Sequence, residues 1–165
     1  MPDQDWDRRV AELWTTLEER PPGEFVAAAD ALAAELPDDD GAGPFERACA
    51  HDSTGDSAGA VPLYRDALAL GLTGERRRRA VVQLASSLRN TGGVEEGVTL
   101  LRHELAQPAD PLDDAVRAFL ALALVDTGRE REAVSVALTA LAPHLPRYQR
   151  SVAGYARLLV EPDPS

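Results

Sequence analysis

Three stretches decide the fold: Ala50–Leu68, AHDSTGDSAGAVPLYRDAL; Ser87–Leu105, SLRNTGGVEEGVTLLRHEL; and Ala123–Leu141, ALVDTGREREAVSVALTAL. Each carries Thr-Gly at the same place, so Gly55, Gly92 and Gly128 recur at intervals of 37 and 36 residues. A period of this length marks stacked supersecondary units. Other positions recur in register. Ala48, Ala85 and Ala121 stand seven residues before the glycine, Ala60, Gly97 and Ala133 five after it, and Leu68, Leu105 and Leu141 thirteen after it. Small residues thus return where helices would cross, and leucine where a core would fill.

On both sides of each Thr-Gly the apolar residues step by three and four, as in Val81, Leu84 and Leu88, then Val94, Val98, Leu101 and Leu105. That spacing predicts helices, and glycine permits the sharp reversal between them because it enters the left-handed region without a Cβ penalty. Each unit therefore reads as a helical hairpin. Thr73 is placed to cap the helix running to Asn90, and Asp110-Pro111 followed by Asp113 reads as an N-cap, an N1 proline and an acidic first turn.

A two-helix unit with small residues at its crossings resembles the tetratricopeptide repeat family over about residues 44–145. The resemblance implies an all-α, right-handed α-solenoid of antiparallel hairpins with a C-terminal capping helix. It also implies a non-enzymatic, protein-binding role. The match is incomplete at Glu104, which stands where Ala67 and Ala140 stand in the other repeats, and in the scarcity of large aromatics in the first helix of each pair. The expected organisation is an N-terminal helix pair over 1–43, a repeat domain with its capping helix over 44–160, and a tail over 161–165. In the first part, Trp6, Val10, Leu13, Trp14 and Leu17 form one stripe and Phe25, Ala28, Ala29, Leu32 and Leu36 another. Gly23 reads as a degenerate repeat turn between them, and 37–44 as a polar connector able to hinge. The tryptophan helix either packs on the repeats or serves as a docking element. In the capping segment, Tyr148, Val152, Tyr155 and Leu159 share helical spacing.

Composition narrows the function. Arginine supplies all 17 basic residues, against 28 Asp and Glu, for a net charge of −11. Such a field repels phosphate backbones and argues against nucleic-acid binding. The complete absence of Lys and Ile reads as the codon bias of a GC-rich bacterium. No apolar run approaches the roughly 20 residues of a membrane span, and the acidic N-terminus is unlike a signal peptide, so a cytoplasmic protein is expected. A single Cys49 excludes an internal disulfide.

Catalytic and metal signals are weak. Gly55-Asp56-Ser57-Ala58-Gly59 matches the nucleophile-elbow pattern, yet that pattern works only where a strand feeds a helix. At this repeat position it reads as a hairpin turn with Asp56 or Ser57 as helix cap; a serine hydrolase using Ser57 is the weakest alternative. His51, His103 and His144 are too far apart in sequence to form a two-ligand step, so no metal and no cofactor are expected, and His51 reads as a packing residue. Cys49 reads as a small buried or groove residue.

The concentrated basic feature is Arg76-Arg77-Arg78-Arg79, whose members point about 100° apart on a helix and read as a solvated helix start. Stepping from Arg79 by helical geometry reaches Gln83, Ser86 and Asn90, with Arg89 nearby. Arg79, Gln83, Ser86, Arg89 and Asn90 are the candidate partner-binding row, since guanidinium forks pair with carboxylates and amides with peptide groups. Flanking faces would add Glu46, Cys49, Asp52 and Ser53 on one side and Phe119, Leu122, Val125 and Asp126 on the other. Phe45 and Val82 stand where family members that clamp acidic peptide termini have polar residues, so that specificity is not implied. The leading expectation is a module that binds a partner's peptide or helix; the alternative is homodimerisation through the tryptophan helix or an end hairpin.

Overall fold

In a computed structural model, residues 2–161 are described; the remainder of the expected tail lies outside them. Among the described residues there are nine α-helices, one 3-10 turn over Ala142–His144, and no strand. The helices are α1 (Gln4–Trp14), α2 (Pro22–Ala33), α3 (Ala42–Ser53), α4 (Ser57–Ala69), α5 (Gly74–Asn90), α6 (Val94–Leu105), α7 (Asp113–Asp126), α8 (Glu130–Leu141) and α9 (Gln149–Leu158). They fall into two compact units, divided between Ser87 and Leu88.

The Thr-Gly pairs explain the hairpins. Gly55, Gly92 and Gly128 adopt φ of 93°, 90° and 73°, the left-handed region. The next amide then turns back on the helix just ended: Asp56 N–H donates to the His51 carbonyl at 2.8 Å, Gly93 to Leu88 at 2.8 Å, and Arg129 to Leu124 at 2.9 Å. This six-to-one bond closes a Schellman motif. The threonine hydroxyl adds a bond to a carbonyl of the same last turn, with Thr54 Oγ1 donating to Ala50 at 2.8 Å, Thr91 Oγ1 to Leu88 at 3.4 Å and Thr127 Oγ1 to Leu124 at 2.9 Å.

The recurrent small residues lie at the crossings. Ala48, Ala60, Ala67, Ala85, Gly97, Ala121 and Ala133 are all buried, and α3 packs on α4 as α7 does on α8. Glu104 is buried too, although its sequence position marks it as a departure.

In the first unit, Asp3 caps α1 by accepting from Trp6 N–H at 2.8 Å, and α1 turns Trp6, Val10 and Leu13 inward. Trp6 is 2% exposed and its indole N–H donates to the Leu32 carbonyl at 2.8 Å. Trp14 meets the Phe25 ring edge-on at 5.1 Å and donates to Glu46 Oε2 at 3.0 Å. Arg76 joins these parts: its Nη2 pairs with Asp7 at 2.6 Å, its Nε with Glu46 at 3.4 Å, and its guanidinium lies 5.5 Å from the Trp6 ring centroid. A buried carboxylate requires such company, because desolvation is offset only by paired charge and full hydrogen bonding. The tryptophan helix is thus packed on the repeats.

Cys49 completes this core. It is 1% exposed, its Sγ donates to Gln83 Oε1 at 3.1 Å, and the Tyr64 hydroxyl adjoins it. Burial, followed by the Glu46 charge, pushes the thiol up to about 12. Burial likewise holds the Tyr64 phenol well above its ordinary value.

Four expectations are corrected. Gly23 is not a turn: it lies within α2 behind the N1 proline Pro22, and the reversal occurs over residues 15–21. Helix α7 starts at Asp113, after the reading at Asp110, because Asp110 Oδ1 accepts from Leu112 N–H at 2.7 Å and closes a separate turn first. The arginine run is not a solvated start, since Arg78 is buried and Arg76 half-buried. In α9, Val152, Ala156 and Leu159 face inward while Tyr148 and Tyr155 are exposed.

Three outcomes follow. Gly55→Ala and Gly92→Ala each lower unfolding stability by about 1–2 kcal/mol, the cost of a left-handed Cβ, because a Cβ at either site meets nothing within 4 Å; urea denaturation measures this. Arg76→Ala red-shifts tryptophan emission and steepens the protection loss of α1 amides in hydrogen exchange while α7 and α8 are unchanged. Cys49 reacts with iodoacetamide at pH 8 at least tenfold more slowly in the folded than in the urea-unfolded protein, since the thiolate is the nucleophile.

Candidate functional site

Helices α3 and α5 run side by side in the same direction, joined at three levels. Arg76 meets Glu46, Cys49 meets Gln83, and Ser87 Oγ donates to Asp52 Oδ1 at 3.0 Å. Between the first two levels Arg79 emerges to solvent, its guanidinium carbon 5.3 Å from the Phe45 ring centroid. Phe45 is fully buried, so the ring is a fixed platform that holds the guanidinium by cation–π attraction and leaves its N–H edge outward.

Gln83 lies one turn beyond Arg79. Because its Oε1 is taken by the Cys49 thiol, the side-chain amide is oriented with its NH2 as the remaining group. Ser86, half-buried, follows on the same stripe. Among the described residues, Arg79 makes no ion pair, and neither the Gln83 NH2 nor the Ser86 hydroxyl makes a hydrogen bond. The first unit therefore presents three donors along one helical face, of which only the guanidinium is charged. Their neighbours on α3 are less available than the sequence reading supposed. Glu46 and Cys49 are buried and engaged, and Asp52 accepts from both Ser57 and Ser87, each at 3.0 Å. Ser53 is exposed.

In the second unit, Arg89 forms a two-pronged pair with Asp126, Nε to Oδ2 and Nη2 to Oδ1. Asn90 is exposed at the end of α5. On α7 Phe119 is half-buried, while Leu122 and Val125 are exposed, three residues apart on one face.

The remaining polar motifs resolve into turn and cap chemistry. Asp56 is the N-cap of α4, accepting from Gly59 N–H at 2.9 Å and contacting His51 Nδ1 at 2.8 Å. These bonds, the backbone one foremost, hold its carboxyl below the ordinary Asp value. Ser57 Oγ donates to Asp52, at the start of a helix that follows another helix. His144 contacts Asp114 at 2.9 Å, and His103 contacts Gln107 at 3.3 Å, so each histidine has its own local partner. Among the described residues no helix is long and apolar enough to cross a membrane.

The sequence reading missed the platform. Phe45 was noted as replacing a polar position, but its partner Arg79 lies 34 residues away, and only the parallel register of α3 and α5 brings them together.

A putative kinesin light chain from Podosopora anserina, a crystal structure with nearly identical TPR-like repeats, superposes with a TM-score of 0.72 at 20% identity, covering 96% of this chain and 89% of that one. At that identity the likeness shows the fold. No curated protein matches the sequence. The family model described as Tetratrico peptide repeat matches residues 41–159, which spans all three Thr-Gly hairpins and α9; the chain belongs to the tetratricopeptide repeat family.

Proposed function

We propose that this protein is a non-enzymatic binding module whose first unit grips a peptide or helix of a partner protein through Arg79, Gln83 and Ser86. Its family is one of protein–protein interaction modules. The observation that carries the reading is Arg79: an exposed guanidinium, fixed over Phe45 and without an ion pair among the described residues, in a chain of net charge −11. Where acids outnumber bases, an arginine kept from its own chain's carboxylates is suited to another's.

Roles follow from donor type. Arg79 takes a partner carboxylate, side-chain or terminal, with its forked edge. Gln83 donates to a backbone carbonyl, its orientation set by Cys49, and Ser86 supplies a further donor or acceptor one turn on. Rigidity of the α3–α5 pair limits the ordering cost of association, so a few short contacts suffice for modest affinity.

The test begins with peptides selected from a random array on the wild-type protein, followed by titration against Arg79→Ala/Gln83→Ala. Loss of a charge-assisted bond worth about 1.5–3 kcal/mol predicts a roughly 10- to 150-fold weaker Kd with unchanged helicity by circular dichroism. Selected peptides should be enriched in Asp, Glu or a free C-terminus. Equal binding by wild type and double variant would refute this role for the row.

A further inference from the structure

Helix α9 exposes a face that the corresponding helices keep covered. Aligning Ala156 with Ala85 and Ala121, the positions five before, one before and two after are Ala80, Leu84 and Ser87 in α5, and Val116, Leu120 and Ala123 in α7. All six are buried. In α9 the same positions are Ser151, Tyr155 and Leu158, all exposed, the last two at 67% and 60%.

The contacts explain the difference. Helix α9 meets the preceding α8 through Val152, Ala156 and Leu159, with Ser135 Oγ donating to the Ala156 carbonyl at 2.6 Å and Arg131 Nε to that of Leu159 at 3.3 Å. That is one side of a first-of-pair helix. Helix α7 packs on both α6 and α8, whereas α9 packs on α8 and the 3-10 turn before it, so its other side is bare among the described residues. Around Gly154 it forms a shallow groove of about 350 Å3, with Tyr155 and Leu158 along it and Arg157 and Glu161 at its edge.

Charge selects the occupant. In the second unit, Arg89, Arg102, Arg117 and Arg129 are ion-paired, and Arg131 is bonded to a carbonyl. Arg147, Arg150 and Arg157 make no ion pair among the described residues, and all three lie on or beside α9. At 100° per residue, Arg150 and Arg157 fall together on the flank of the Tyr155/Leu158 face, two guanidiniums against the single carboxylate of Glu161 at its C-terminal end. Two copies paired antiparallel through this face would set these arginines against each other, which disfavours a second copy. An acidic helix would pair with them.

We propose that the bare face of α9 docks an acidic amphipathic helix of another protein, seated as the second helix of a fourth hairpin. The occupant's apolar residues lie against Tyr155 and Leu158, and its carboxylates beside Arg150 and Arg157, with Gly154 leaving room along the groove between them. This surface is separate from the Arg79 row and stands or falls without it.

The probe is a capped peptide with the sequence of residues 93–105, GVEEGVTLLRHEL, this chain's own second-of-pair helix, which has Gly97 at the crossing and three glutamates. It is titrated into the 15N-labelled full chain, with wild type compared with Gly154→Leu and with Tyr155→Ser/Leu158→Ser. A Cβ at Gly154 meets nothing within 4 Å and the other two side chains are exposed, so all variants retain the fold. The expected result is saturable shifts of the 150–158 amides, at least tenfold weaker binding by both variants, and at least fivefold weaker binding of a peptide whose Glu95 and Glu96 are replaced by Lys. Absence of α9 shifts at millimolar peptide, or equal affinity for the Lys peptide, would overturn the proposal. So would co-sedimentation with phosphatidylglycerol vesicles in place of peptide binding, or a concentration-dependent dimer abolished by Gly154→Leu.

Discussion

The backbone reversal at the three Thr-Gly pairs is the constraint on which the rest depends. A helix ends with carbonyls that need donors, and here each end is closed by a left-handed glycine, a six-to-one amide bond and a threonine hydroxyl. That closure returns the chain antiparallel at close range. Close range then demands alanine or glycine at the crossings, and these are the buried Ala48, Ala60, Gly97 and Ala133. Recurrent small residues are therefore a consequence of the turn as much as a second signature beside it.

Upon this scaffold the first unit adds a buried charge network. Glu46 lies in the core because Trp14 and Arg76 both reach it, and Arg76 in turn anchors Asp7. The two roles of neighbouring arginines follow from helical phase. Arg76 and Arg79 are three residues apart, yet one is spent within the core and the other stands over Phe45 facing solvent. Since the guanidinium is planar, each uses its face on an aromatic ring and its edge on oxygen, or leaves that edge for a partner. Lysine could not do both.

Much of this was legible in local pattern. The period, the helix-turn-helix reading of GDSAG and the capping by Asp56 are determined within a few residues of where they act. What local pattern missed depends on distant groups. Arg76 looks like one of four solvated arginines until Asp7 and Glu46 arrive from 69 and 30 residues away. Gly23 suggested a turn because it follows Pro21-Pro22 and stands 32 residues before Gly55, although a proline at the preceding position begins a helix as readily as it breaks one. Tyr148 and Tyr155 group with Val152 and Leu159 by helical spacing, whereas the inward phase of α9 is fixed by Ala156, whose carbonyl accepts from Ser135. The candidate row was found by helical stepping, but the partnership of Arg79 with Phe45 and of Gln83 with Cys49 belongs to register between helices, which no single helix encodes.

One property of the three turn glycines reaches beyond this molecule's stability. The space where a side chain would grow is empty at each, so volume is not what keeps larger residues out. What limits these positions is the handedness of the main chain, and asparagine, the side chain most at ease in that mirror-like bend, is the replacement such a hairpin accepts at least cost.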